Sequence, residues 1–508
     1  MTAAQPDHPS PASRRSEAVY DAVGVGAGPF NLGFAALAQG SGLDVAVFDA
    51  NESFAWHPGM MLPGTHLQVP FMADLVTMAD PTHPLSFLNY LKRHGRIYPF
   101  YIREDFYALR AEYNAYLAWA AAELPSVRFG HAVTECRHDG DAYVLTVRAP
   151  EGPLTVRAQH LVLGTGTQPY VPDTVDPVAL ASGTVLHTSE YTRRRAELLA
   201  AGTGSMAASS AASSADPGAG PGAGPAAEAD AGSRSATPPR RIAVIGSGQS
   251  AAEVVADLLE NLGTLPDGTE QELVWATRSS RFFPLEYTKL TLEMTSPDYI
   301  DHFHGLPQSV RDRLSAEQKG LYKGINADLI DHLHELLYQR SLEPDWSPGR
   351  VRLLTSTALE AAEAISGGGV SLLLSHEEDG GAHRLDADAV VLATGYRYAE
   401  PEFLDGVAER IRRLPDGRLD VDREYSVGVH GDILVQNAEL HTHGFTAPDL
   451  GMGAYRNSVI VNRLAGREVY PVERRIAFQE FGTPQPATTT PSPAPAHPHA
   501  HAVQEAAR

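Results

Sequence analysis

The sequence predicts an α/β protein with two Rossmann-like dinucleotide-binding domains, one inserted in the other. Three observations carry this expectation. A strand, a glycine-rich turn, a helix and a second strand follow one another twice, once near the start and once near the middle. Short β-branched runs alternate with helical patterns over both stretches, the order that parallel sheets with crossover helices require. Two further apolar strands, each ending in a small-residue turn, bracket the second unit.

In the first unit, AVYDAVGVGAG (18–28) reads as a strand entering a turn, PFNLGFAALAQGSG (29–42) as a helix and LDVAVFDA (43–50) as the next strand. Gly24, Gly26 and Gly28 let the backbone turn sharply and approach a pyrophosphate. Pro29 opens the helix, whose N-terminus favours negative charge. Asn31 stands where the usual GxGxxG has its third glycine. Asp49 ends the next strand 21 residues beyond Gly28 (49 − 28), where a carboxylate binds ribose hydroxyls.

The second unit repeats the order as RRIAVIGSG (240–248), QSAAEVVADLLENLG (249–263) and QELVWATR (271–278). Its cradle comprises Gly246, Ser247, Gly248, Gln249 and Ser250. Arg278 lies where an acidic ribose ligand would otherwise be, and a guanidinium there suits the extra 2′-phosphate of NADP(H). The bracketing strands LVLGTGTQPYVP (161–172) and VVLATGYRY (390–398) end in turns, the latter with Thr394, Gly395 and Tyr396, that let the chain pass close to a cofactor. The expected ligands are FAD and NADPH. Residues 18–192 and 386–475 are expected to form a discontinuous FAD-binding domain, with a small helical substrate region and pocket elements near 60–120 and 440–465. Residues 193–385 are expected to form the NADPH-binding domain. Residues 1–17, the linker 202–239 inside the NADPH domain and the tail 483–508 lack the apolar content to fold and are expected to be disordered.

The 508 residues exceed one modest domain. No uninterrupted apolar run reaches the ~18 residues of a membrane span, and the polar opening MTAAQPDHPSPASRRSEA argues against secretion. Cys136 is the single cysteine, so neither an internal disulfide nor a CxxC pair exists; a reducing cytoplasm is the expected location. A net charge of −22 without a basic stripe excludes nucleic acid as a partner. His302, His304, His332 and His334, and the tail histidines His497, His499 and His501, show no metal-ligand pattern, and no metal is expected.

Two dinucleotide sites imply hydride transfer from NADPH to a flavin, and the electrons then need an acceptor. The lone cysteine removes a disulfide from consideration; oxygen remains, which points to a flavin monooxygenase. The stretches VGVGAGPFNLGFAAL, WHPGMMLPGTHLQVPFMADLVTMADPTHPLSFLNYL, EYNAYLAWAA, VLGTGTQPYVP, VIGSGQSAAEVVADLL, ATGYRY and HTHGFTAPDLGMGAYRNSVIVNRL span about residues 20–470 apart from the linker. In these the chain resembles the siderophore-type N-hydroxylating flavin monooxygenases, which act on the terminal amine of ornithine, lysine or small diamines. The FxGxxxHxxxW signature of other flavin monooxygenases survives only at Ala181, Gly183, His187 and Tyr191, which weakens a Baeyer–Villiger-like alternative.

The resemblance implies that NADPH reduces FAD, oxygen adds at the flavin C4a carbon, and the neutral substrate amine takes the distal oxygen atom. No protein nucleophile is required. It implies a catalytic position for Gln68, near flavin and nicotinamide, and for Asp449, which with Leu450 and Gly451 would lie beside the flavin ring. Trp56, His57 and Met60 fall in a block that would line the FAD. A homo-oligomer, dimer or tetramer, is also implied.

In the amino-acid hydroxylases of that family the segment FMADL reads FLKDL, and its lysine pairs with the substrate carboxylate. Here the position is Ala73. A buried carboxylate left without a cation is strongly unfavourable, so the expected substrate lacks one: cadaverine or putrescine. Leu292 falls where the ornithine enzymes carry an asparagine. Glu286 and Glu293 are candidate acceptors for the diamine's remote ammonium. L-lysine or L-ornithine is the alternative substrate, with Arg281 or Lys289 then replacing the missing lysine. The product would feed hydroxamate siderophore assembly.

Overall fold

The computed structural model describes residues 19–199 and 239–484. The segments expected to be disordered therefore lie outside the described residues, apart from residues 239, 483 and 484 at their edges.

Val19–Val25 is the centre of the first sheet. It runs parallel to Val45–Phe48 on one side and to Gly152–Leu163 on the other. Val127–Arg128 continues the parallel part beyond Val45–Phe48, and Ile433–Val435 returns late in the chain to pair with Leu161–Leu163. Tyr143–Ala149 and Ala132–His138 add an antiparallel arm. Successive side chains of a strand point to opposite faces, and both faces here are covered. Ala22 and Val47 enter one core with Phe34, Tyr116 and Leu117 of the flanking helices; Val23, Val25 and Phe48 enter the other with Leu145, Leu404 and Val407. Double burial explains why these strands read as continuous apolar runs. Cys136 lies buried on the antiparallel arm, where burial pushes its thiol up to about 12.

The second sheet is wholly parallel, in the order Val351–Leu354, Glu272–Ala276, Arg241–Ile245, Ala389–Leu392, Val185–His187. The helix Gln249–Asn261 covers one face through Ala251, Val254, Val255, Leu258 and Leu259. A three-stranded antiparallel meander, Thr357–Ala364, Val370–His376 and Ala382–Ala387, packs on the other. The fold class is as expected: two Rossmann-like units, the second inserted in the first.

The expected domain cuts at 192/193 and 385/386 pass inside this second sheet. Val185–His187 and Ala389–Leu392 lie on the FAD-domain side of those cuts yet pair within it. The chain crosses between the sheets at the short antiparallel pair Gln168–Pro169 and Tyr396–Arg397. Strand length is the physical reason for the misplacement. Three residues carry no readable periodicity, and the turn after Leu392 has the same small-residue character as the turn after Leu163.

The block WHPGM ties the units together. Pro58–Met60 forms one 3₁₀ turn, entered through His57 in the left-handed region (φ 46°). A Cβ on Gly59 would stand 1.9 Å from the Ser189 carbonyl oxygen, so only glycine permits this approach. Met60 and Leu62 then enter the core of the second unit beside Leu186, Tyr191 and Ala251.

Candidate active site

A cavity of about 630 Å³ opens between the two units and takes its walls from both. On the first unit it is bounded by the glycine-rich turn. Gly24 and Gly26 serve the turn's own packing: a Cβ on Gly24 would meet Val47 at 2.9 Å, and one on Gly26 (φ 88°) would meet the Gly164 oxygen at 2.4 Å. Gly26 also borders the cavity, as do Gly28, which has open space where its Cβ would be, and Pro29 at the start of the helix Pro29–Ala38. The helix lacks a side-chain cap, so its first N–H groups are free for an anion. Asp49 also lines the cavity; its Oδ2 accepts the Ala27 N–H at 2.7 Å.

Asn31 differs from expectation. It is fully buried, and its Nδ2 donates to the carbonyls of Val25, Gly26 and Val162 at 2.8–3.2 Å while its Oδ1 accepts from Gln436 at 2.6 Å. It replaces the close helix–strand contact of a third glycine by hydrogen bonds and does not face the cavity.

The second cradle contributes Gln249 and Ser250 to the cavity wall. Gly246 (φ 137°) is packed so that a Cβ would lie 2.2 Å from the Ala393 oxygen, and Gly248 caps the helix Gln249–Asn261; neither these nor Ser247 are among the cavity-lining residues. Arg278 is exposed just past Glu272–Ala276. Lys319, Arg278 and Arg397 act together on Lys323, which burial and these three positive charges hold below the ordinary lysine range. None of the four takes part in an ion pair among the described residues. In a chain this acidic, such a cluster suits a phosphate. Tyr396 lines the cavity, whereas Thr394 and Gly395 serve the crossing between the sheets: the Thr394 hydroxyl donates to the Tyr170 carbonyl, and the Gly395 carbonyl faces His187 at 3.0 Å.

Between the cradles runs a polar chain that the sequence does not announce. Gln68 Nε2 donates to Asn326 Oδ1 at 2.9 Å and lies 3.4 Å from Gln249 Oε1. Gln249 Oε1 accepts the Asn326 N–H, and its Nε2 donates to Glu253, both at 2.9 Å. Glu253 in turn receives both terminal nitrogens of Arg110, at 2.8 and 2.7 Å. The structure thus joins Gln68 to Gln249, and adds Arg110, Glu253 and Asn326 to the site. A glutamate on the buried face of QSAAEVVADLL was the available signal, since a buried carboxylate demands a partner.

Trp56 and His57 form the adjoining wall with Tyr396. Their rings meet edge to face, at 5.1 Å between Trp56 and His57 and 5.8 Å between His57 and Tyr396. Desolvation by the surrounding atoms, aided by the nearby Arg110 guanidinium, pushes the His57 imidazolium down to about 4, although the residue remains exposed at the open cavity.

The segment around Ala73 owes its shape to Asp74. That carboxylate accepts the N–H groups of Val76, Thr77 and Phe87 and the Thr77 hydroxyl, at 2.6–3.0 Å. Against expectation Ala73 is not among the cavity-lining residues: it is buried behind them, its carbonyl accepting from Tyr113 of the helix Arg110–Glu123 at 3.0 Å. Its methyl group abuts the turn that precedes the helix Gly453–Ala465: a Cβ on Gly451 would lie 3.9 Å from it. Asp449 and Leu450 of that turn line the cavity, while Gly451 donates its N–H to Asp449 Oδ1 at 2.6 Å. Arg456, which sequence reading missed, braces the turn from beneath. It donates to the Ala447 carbonyl at 2.7 Å, pairs with buried Glu439 at 3.1 Å and stands 4.6 Å over the ring of Phe30.

Leu292 lines the cavity together with Glu286, Tyr287, Thr291 and Thr295. Glu293 does not. One helical step along, it points to the outer surface and accepts the backbone N–H of Gln479 at 2.9 Å and its side-chain amide at 3.1 Å. Arg281 and Lys289 are exposed and absent from the cavity wall. Among the lining residues Arg110 is the one arginine or lysine, and it is already committed to Glu253.

Two dinucleotide cradles opening on one shared cavity define a flavoprotein oxidoreductase of the two-nucleotide class. The profile of the L-lysine 6-monooxygenase/L-ornithine 5-monooxygenase family matches residues 18–216 and 222–398, and the chain belongs to that family. It is 43% identical over 477 residues to the putrescine N-hydroxylase of Shewanella oneidensis, covering 93% of this chain and 86% of the relative. The putrescine N-hydroxylase of Acinetobacter baumannii is 39% identical, over 92% and 94%. Among solved structures, FAD-bound DfoA, the cadaverine monooxygenase of desferrioxamine biosynthesis from Erwinia amylovora, superposes with a TM-score of 0.81 at 42% identity, over 92% of this chain and all of that one. The Kutzneria ornithine N-hydroxylase KtzI gives 0.73 at 27% identity, over 88% and 99%.

Proposed function

We propose that this protein uses FAD and NADPH to N-hydroxylate one primary amine of putrescine or cadaverine, in the cytoplasm, for hydroxamate siderophore assembly. One observation carries the choice of a diamine over an amino acid. Among the described residues the cavity lining has no free cation: Arg110 is held by Glu253, and the buried residue packed behind the Asp449–Gly451 turn, Ala73, carries only a methyl group. An α-carboxylate entering there would lose its hydration without gaining a partner, a large penalty in an enclosed site. The names of the relatives point the same way.

The residues fit the two cofactors. Gly28, Pro29 and Asp49 suit the pyrophosphate and ribose of FAD, and Gln249 and Ser250 suit NADPH, with Arg278 and its basic neighbours Lys319, Lys323 and Arg397 suiting the 2′-phosphate. Bound FAD, once reduced, supplies the activation of oxygen. The protein's share is positioning and dryness. Gln68, hydrogen-bonded toward Gln249 and Asn326, stands where the two cofactor sites converge. Trp56, Leu292, Leu450 and Phe445 give the reacting amine an apolar surround that disfavours its charged form. A free alkylamine has a pKa of about 10.4, so the neutral, reactive fraction grows with pH. The exposed apolar side chains Tyr98, Tyr101 and Ile102 of the helix Ile97–Ile102, with exposed Phe106 just beyond it, support self-association of the chain as a dimer or tetramer. Product formation from putrescine, cadaverine, lysine and ornithine, assayed side by side with NADPH and oxygen, tests this function.

A further inference from the structure

Three carboxylates line the cavity, and they differ in what already serves them. Asp49 is spent on the cofactor turn, accepting from Ala27 and from both nitrogens of Asn51. Glu286 stands at the exposed rim, its Oε1 2.7 Å from where a Cβ on Gly320 would be. Asp449 is set deeper, in the turn against Ala73. It receives the N–H of Gly451 at 2.6 Å, and no side chain of the described residues donates to it or pairs with it. Burial holds its carboxyl above the ordinary range; the Arg456 guanidinium attracts its charge but has its own partner in Glu439. Asp449 also helps to keep the Tyr287 phenol protonated, after burial and the neighbouring Tyr107, so the two share one end of the cavity.

We infer that Asp449 is the specificity-determining acceptor for the diamine's remote ammonium, with Ala73, packed behind the turn that carries it, supplying no competing cation. This rests on the diamine reading above. A carboxylate enclosed without a cation is unfavourable by itself and becomes favourable when the ligand supplies one. Ala73 matters through size and neutrality: its Cβ lies 3.9 Å from the Gly451 Cβ position, so a long cationic side chain at 73 would press on the turn and offer Asp449 an internal partner. The same arrangement rejects a carboxylate by like-charge repulsion. Asp449 thereby has a recognition role in place of the part in the chemistry that family resemblance suggests.

The test compares each diamine with the monoamine of equal length, butylamine for putrescine and pentylamine for cadaverine, in hydroxylamine formation by the FAD-loaded enzyme. Calorimetry of diamine binding to the same protein gives a readout independent of turnover. Wild type should favour the diamine. In Asp449→Asn the diamine-to-monoamine ratio of kcat/KM should fall roughly ten- to a hundred-fold, about 1.4–2.8 kcal/mol at 1.4 kcal/mol per decade, with diamine affinity weakened in step. Asp449→Glu, which keeps the charge, should recover part of the ratio. An unchanged ratio in Asp449→Asn, or a loss that follows Glu286→Gln instead, overturns the assignment. If Asp449→Asn does not retain FAD, Ala73→Lys decides: it must lower the ratio comparably, and an unchanged ratio refutes the inference. A wild type that prefers lysine or ornithine overturns the diamine reading itself, whereas diamine preference with no effect of Asp449 overturns this inference alone.

Discussion

Replacing Arg110 by methionine removes the cation that joins the two units. Arg110 and Glu253 form two hydrogen bonds, 2.8 and 2.7 Å long, with side chains 13% and 3% exposed. In Arg110→Met, Glu253 keeps only the Gln249 amide at 2.9 Å. Removing one partner of a buried pair costs about 3–5 kcal/mol. Arg110 borders the cavity and retains some solvent, so the lower end of that range applies. At roughly 2–4 °C per kcal/mol for a unit of 150–250 residues, a loss of about 3 kcal/mol lowers the melting midpoint by about 6–12 °C. The assay is thermal unfolding of the flavin-loaded protein, with NADPH KM measured in parallel, because Gln249 loses its anchor as well. The double variant Arg110→Met, Glu253→Leu should recover most of the midpoint, since an apolar pair of similar volume replaces a buried ion pair at little cost. A midpoint change equivalent to less than about 1 kcal/mol, the range of surface pairs, or a double variant no better than the sum of the singles, refutes the account of how the cradles are held in register.

Arg278→Ala should raise the KM for NADPH well above its effect on NADH, because only the former carries a 2′-phosphate; equal effects would remove the assigned role. Glu293→Ala should leave the KM for putrescine within about two-fold, since side chains away from the reacting groups contribute little, while loosening Ile476–Phe481, whose Gln479 it holds; hydrogen exchange over that segment reads the second effect. The rate should climb with pH as the amine loses its proton. His57, pushed down to about 4 by desolvation and Arg110, stays neutral across that range and should add no inflection near pH 6.5. Its folded pKa lies below the unfolded value, so it withdraws stability as pH falls from about 6.5 through about 4. An inflection near 6.5 that vanishes in His57→Asn would contradict this.

Local patterns made the two cradles legible. Gly28, Asp49, Gln249 and Ser250 sit in short stretches where strand, turn and helix follow in order, and all four reach the cavity. The role of Asn31 was hidden because a motif records spacing and not which way an amide points. Glu293 and Leu292 show the same limit at higher resolution: they are adjacent in sequence, yet one faces the cavity and the other the segment around Gln479. Arg110, Asn326 and Arg456 were illegible for another reason. Their partners Glu253, Gln68 and Glu439 lie far away in sequence, or, for Arg456, 17 positions back (456 − 439), and nothing local marks the pairing. The sheet to which Val185–His187 belongs is likewise a tertiary fact, decided by pairing with Val390–Leu392.

The most direct test of the central claim is hydroxylamine formation by the FAD-loaded protein with NADPH, oxygen and each of putrescine, cadaverine, L-lysine and L-ornithine. A cavity without a free cation predicts that a diamine gives the highest product-forming kcat/KM, with both amino acids lower by at least about ten-fold, the equivalent of ~1.4 kcal/mol. Efficient hydroxylation of lysine or ornithine, with diamines the poorer substrates, would contradict it.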